Sequence, residues 1–95
     1  MKIEILEFSG ESCANCFSLM PVVNGLAAER GIGVRHIEVS PEHAAEVSAY
    51  AIERVPTLLL LADGKEFARC TGYQPEEILE VWLDAKTEEI REKCK

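Results

Sequence analysis

No apolar run in this chain approaches the roughly 18 residues that a membrane-spanning helix requires, which excludes such a segment. Basic residues are in the minority, ten Lys and Arg against 17 Asp and Glu, for a net charge of −7. That balance argues against nucleic acid and against anionic membrane surfaces as partners. The chain lacks repeats, low-complexity stretches and Ser/Gly linkers. Its 95 residues therefore read as one domain, 1–95, with an adequate but not generous core. Only two histidines and four cysteines are available to bind or react. Four cysteines in a reducing compartment do not make a disulfide framework. The N-terminal Met1-Lys2-Ile3-Glu4-Ile5 runs straight into a strand pattern, and Glu4 and Glu7 interrupt any signal-peptide core. A cytoplasmic location is the expectation.

Against these absences, one tetrapeptide stands out. Cys13-Ala14-Asn15-Cys16 follows an apolar run, Ile3 to Phe8, and precedes a helical pattern. A C-x-x-C placed so reads as a redox motif. The reactive species is a thiolate, and a helix N-terminus favours it through unpaired N–H groups and the helix dipole. Cys13 is thus the expected nucleophile and Cys16, one turn further in, the resolving thiol. Ser12 suits the N-cap or the residue just before it.

Residues 2–8 read as a strand apolar on both faces, which suits a sheet covered on each side. Residues 14–30 read as a helix on Leu19, Val22, Val23 and Leu26, with Pro21 expected to kink it and Gly31 to end it. A second strand spans 33–39. Ser40-Pro41-Glu42 opens a helix to about Ile52, with Ala45, Ala49 and Ile52 on one side. Thr57 to Ala62, the Asp63-Gly64 turn and Glu66 to Thr71 form a hairpin. The last helix starts at Gln74-Pro75-Glu76-Glu77, with an apolar face on Ile78, Leu79, Trp82 and Ile90. The expected architecture is α/β, in the order β-α-β-α-β-β-α, with a four-stranded mixed sheet and helices on both faces.

This order, with C-x-x-C opening the first helix, resembles the thioredoxin superfamily over essentially the whole chain. The resemblance implies a thioredoxin-like fold without the extra N-terminal strand and helix of full thioredoxins. Val55-Pro56-Thr57 matches the family's cis-proline motif, which offers the backbone of residue 55 to an extended substrate. Gly72 matches the glycine that lets a substrate backbone approach, and Pro21 the helix proline. Glu7, six residues before Cys13, matches the family's buried aspartate. In that reading it is a base for Cys16, whereas a strand acid ordinarily faces solvent. His36 falls where the family often has a lysine paired with that acid; by itself it reads as an exposed strand residue. Ser12 and Ala14-Asn15 depart from the family's Trp-Cys-Gly-Pro-Cys, and that dipeptide tunes the reduction potential.

The resemblance implies a protein-disulfide reductase that acts on disulfide-bearing proteins. It needs no cofactor of its own and draws electrons from a thioredoxin-reductase-like or glutathione donor, as a monomer. A thioredoxin-fold adaptor without turnover and a metal-binding module are the competing readings. For a metal, His36, His43 and Cys70 are the only spare ligands, and none has ligand spacing to another. Cys70 reads as a small buried filler and Cys94 as an incidental exposed thiol.

Overall fold

The computed structural model describes residues 2–93. Four strands, β1 (Ile3–Ser9), β2 (Gly33–Glu38), β3 (Thr57–Ala62) and β4 (Lys65–Thr71), form one sheet in the order β2-β1-β3-β4. β1 pairs parallel with β2 and antiparallel with β3, and β3 pairs antiparallel with β4. Three helices, α1 (Ala14–Glu29), α2 (Ala44–Ala49) and α3 (Glu76–Lys93), complete the expected mixed α/β architecture.

The central strands carry apolar residues on both faces because both are covered. Ile5, Leu58 and Leu60 pack with Leu19, Val23 and Leu26 of α1 and with Leu79, Leu83 and Ile90 of α3. On the other face Leu6, Phe8, Ile37, Leu59 and Leu61 pack with Val47, Tyr50 and Ile52 from α2 and its exit. Residues one apart on β1 thus enter different cores, as a period of two requires.

Glycine and turn chemistry set the boundaries. At the end of α1, Ile32 N–H reaches the Ala27 carbonyl at 2.9 Å and Gly31 N–H the Ala28 carbonyl at 3.3 Å. Gly31 supplies the left-handed residue this Schellman closure needs, with φ 65°. Pro21 lies inside α1 without ending it. The hairpin turn has positive φ at both Asp63 and Gly64, as a two-residue loop prefers. It is tied to the chain start by Lys2 N–H donating to Asp63 Oδ1 at 2.8 Å and Asp63 N–H donating to the Lys2 carbonyl at 2.8 Å.

Three local expectations need correction. The helix after Ser40 is much shorter than a run to Ile52. A 3₁₀ turn, Pro41–His43, precedes α2, and Ala51 adopts φ 51° so that Ile52 N–H closes on the Val47 carbonyl at 3.0 Å. This is a second Schellman closure, made without glycine. Its buried side is Val47, Tyr50 and Ile52; Ala45 and Ala49 are exposed. On α3 the buried stripe is Leu79, Leu83, Thr87 and Ile90, spaced by four, four and three, while Ile78 is exposed. Arg30 fastens the end of α1 to α3: its Nε donates to Asp84 Oδ1 at 2.6 Å and its Nη2 to Glu80 Oε2 at 2.7 Å. Among the described residues, no helix is long and apolar enough to cross a membrane.

Candidate active site

The chain leaves β1 through Gly10, Glu11 and Ser12 and enters α1 at Cys13. Ser12 is the residue before the cap, with φ 60°. Cys13 itself is the N-cap: extended at φ −94° and ψ 99°, it places its sulfur 3.2 Å from the Cys16 N–H, which donates to it. The Cys13 and Cys16 sulfurs are bonded, with Cα atoms 5.2 Å apart. The pair is unequal in exposure. Cys16 is buried at 2% exposure, whereas Cys13 is partly open. An incoming thiolate therefore meets Cys13 first. When the bond opens, a Cys13 thiolate faces a backbone N–H and the positive end of a 16-residue helix with no acid in its first turn. A cleft of about 230 Å³ beside the pair is bordered by Gly10, Ser12, Cys16, Phe17, Met20 and Glu38, with Phe17 largely exposed.

The loop before β3 closes on this end of the molecule. The Val55–Pro56 peptide is cis. A Cβ added at Gly10 would lie 3.1 Å from Val55 Cγ2, so the loop that carries the cysteines and the Val55–Pro56 loop are in tight contact. Gly72 N–H donates to the Pro56 carbonyl at 2.7 Å, and Gly72 has φ 89°. Gly72, Pro56, Val55 and Gly10 are thus one cluster of loops. Thr57 sits differently: it is buried, and its hydroxyl donates to the Arg54 carbonyl at 2.7 Å. Its side chain holds the turn and has no hydroxyl hydrogen left for a substrate.

Glu7 does not face solvent. It is fully buried on β1, opposite Leu58 and His36 in the two neighbouring strands, and shares the α1-covered face with Ile5. Its Oε1 is in close contact with His36 Nδ1, and its Oε2 has no partner. Burial pushes the Glu7 carboxyl above the usual carboxylate range, with His36 opposing the shift. His36 is exposed on its strand, as it reads by sequence alone, and its ring also reaches the buried Glu7 carboxyl. Its Nε2 lies 3.1 Å from Asn24 Oδ1 on α1. Asn24 carries no signal in the sequence; its only cue is the spacing of four that aligns it with Met20 and Cys16 on α1.

Cys70 is the free cysteine among the described residues, half-buried against the α1/α3 core, and burial pushes its thiol up. Cys94 lies outside the described residues. Among those residues, no three His, Cys, Asp or Glu side chains are grouped so as to hold a metal ion.

Fold and site define a class, a sheet-supported disulfide at a helix start with one open and one buried sulfur. The thioredoxin family model matches residues 1–85, and the chain belongs to the thioredoxin family. It is 32% identical over 79 residues to a thioredoxin of Chlamydia pneumoniae, covering 79% of this chain and 74% of that one. It is 35% identical over 78 residues to a thioredoxin of Chlamydia caviae, with the same coverage. Among solved structures, a mutant thioredoxin from Halobacterium salinarum superposes with a TM-score of 0.80 at 35% identity, over 90% of this chain and 75% of that one. Thioredoxin 1 of Thermosipho africanus shares the fold, with a TM-score of 0.78 at 20% identity, over 90% of this chain and 94% of that one. Family membership and the Cys13–Cys16 pair together support a thiol–disulfide oxidoreductase.

Proposed function

We propose that this chain is a single-domain, monomeric reductase of protein disulfides, working in the cytoplasm. The observation that carries the reading is the unequal pair, an open helix-capping sulfur bonded to a buried one. In the reduced protein the Cys13 thiolate attacks a substrate disulfide. A bond forms between Cys13 and one substrate sulfur, the substrate S–S bond breaks, and the other sulfur leaves as a thiolate. Cys16 then loses its proton and attacks the Cys13 sulfur. The Cys13–Cys16 bond forms, the mixed disulfide breaks, and the second substrate thiolate leaves. Two electrons pass from the dithiol to the substrate.

The Val55 backbone lines the approach to Cys13 and pairs with an extended substrate segment. Gly72, beside it, has no Cβ to obstruct that segment. Thr57 supports the turn. Glu7, buried and in want of a proton, takes the one that Cys16 gives up. A thioredoxin-reductase-like enzyme or glutathione returns the pair to the dithiol, and the chain carries no cofactor of its own. Ala14-Asn15 and the missing aromatic before Cys13 bear on which donor recognises it.

The test is reduction of insulin by dithiothreitol with and without the protein, alongside Cys16→Ser. The wild type should accelerate the reaction, and Cys16→Ser should stop after one attack and accumulate a mixed disulfide on Cys13. No acceleration by the wild type, with Cys13 alkylated no faster than Cys70, would overturn the reading in favour of an adaptor.

A further inference from the structure

The cleft of about 230 Å³ beside the buried sulfur has no part in the exchange between Cys13 and Cys16. Its walls differ in character. On the α1 side stand Phe17 and Met20, three residues apart and so on one helix face. Phe17 directly follows the buried Cys16 yet is 68% exposed. On the loop side Ser9 and Gly10 are small, which leaves the space open. Two exposed carboxylates border it, Glu11 on the loop and Glu38 at the end of β2. Among the described residues no basic side chain borders the cleft, and neither carboxylate is held in an ion pair or a hydrogen bond. An apolar wall beside two free carboxylates defines an occupant by its chemistry. A purely apolar side chain would fill the space but displace water from the carboxylates with nothing in return. An acidic one would meet two like charges. A lysine or arginine satisfies both parts, its methylene stem lying along Met20 and the Phe17 ring while its cation reaches the carboxylates. The volume suits one side chain, since clefts for drug-sized ligands start at about 300 Å³.

We propose that this cleft is a specificity subsite that receives a lysine or arginine directly beside the substrate's cysteine, a role that rests on the reading of Cys13 and Cys16 as a working dithiol. Ser12 and Cys16 both border the cleft, so a substrate sulfur bonded to Cys13 sits next to it. The preferred substrates are then protein disulfides in which a basic residue neighbours the attacked cysteine. Phe17, Met20, Glu11 and Glu38 act on that neighbour and leave the sulfur chemistry to Cys13 and Cys16.

The test uses the reduced protein and short blocked peptides, each presented as its symmetric disulfide, with arginine, leucine or glutamate immediately before or immediately after the cysteine. Peptide thiol released over time is measured by chromatography of acid-quenched samples. Each rate constant is divided by that for dithiothreitol, an uncharged dithiol, which removes the intrinsic reactivity of the disulfide. For one of the two placements the arginine peptide should react about fivefold or more faster than the leucine peptide at low ionic strength, and the glutamate peptide more slowly than either. The preference should shrink by half or more between about 20 mM and about 500 mM salt. The double variant Glu11→Gln/Glu38→Gln should bring the arginine-to-leucine ratio to within about twofold of one. Glu76→Gln, which removes an acid in the first turn of α3 outside the cleft, should leave the ratio unchanged.

A ratio near one for both placements in the wild type would overturn the inference, as would a double variant that keeps the full preference. So would a preference of the same size when the arginine is moved to the far end of a longer peptide, since that is general attraction to an acidic protein. Should the double variant not fold, the two placements and the distant arginine decide it in the wild type. A wild type that reduces none of the peptides would instead sink the dithiol reading itself.

Discussion

Replacing Glu7 by leucine should make the protein more stable and less active, and the gain should grow with pH. Glu7 is fully buried, with one oxygen lacking any partner. A buried acceptor left unpaired costs about 1–3 kcal/mol. A leucine in the same apolar surroundings contributes about 1.5–3 kcal/mol from burial. Against this stands the lost contact with His36, which is half-open and can be hydrated instead. A net gain of about 1–3 kcal/mol near pH 8 follows, or about 4–8 °C in Tm for each kcal/mol in a domain of this size. The sign of the pH dependence follows from the raised Glu7 pKa. The folded state keeps the carboxyl proton to higher pH than the unfolded chain does. The stability tied to the neutral acid is present in full below the ordinary glutamate value of about 4.3 and is lost as pH rises through the folded value. Leucine has no such loss, so Glu7→Leu should gain less near pH 4 than near pH 8. Urea unfolding followed by circular dichroism at the two pH values measures both gains. A variant less stable than the wild type at the higher pH, or an advantage that does not widen between them, would refute the reasoning.

Two further substitutions test the scaffold. Ala51→Gly should raise stability by about 0.5–1 kcal/mol in a thermal melt, because Ala51 has φ 51° and a left-handed alanine costs about 1–2 kcal/mol, partly offset by glycine's extra chain entropy. Arg30→Ala should cost about 1–2 kcal/mol, a modest figure because its partners Asp84 and Glu80 are about half exposed. Arg30 holds the Asp84 carboxyl below the usual range, so that contribution is present above the ordinary aspartate value and lost as pH falls through the lowered one. Wild type and Arg30→Ala should therefore converge in urea stability as the pH is lowered.

Element order was legible in the sequence wherever the signal is local. Short apolar runs marked β1 and β3, Asp63-Gly64 marked the hairpin, and Gly31 marked the end of α1. The Cys13–Cys16 pair was equally plain, since spacing and position before a helix are enough. What sequence could not show depends on neighbours distant in the chain. His36 meets a residue 29 positions away on the adjacent strand, a partner suggested only by the family resemblance, and another 12 away on α1 that nothing in the sequence suggested. The shortness of α2 was hidden because alanine, not glycine, takes the left-handed position at 51. The face of α3 was misjudged because Thr87 reads as polar, although it completes the stripe of Leu79, Leu83 and Ile90, while Ile78 lies a step around the helix.

Cys13 contributes the same atom to two structures, a cap in one oxidation state and an anion in the other. A thermodynamic cycle through the denatured chain then links quantities usually measured apart. Whatever difference in unfolding free energy separates the oxidised and reduced forms must reappear as a shift in reduction potential, about 30 mV for every 1.4 kcal/mol. Residues far from sulfur that firm or loosen the start of α1 thereby become electrochemical variables, and a melting curve on each form becomes a voltmeter.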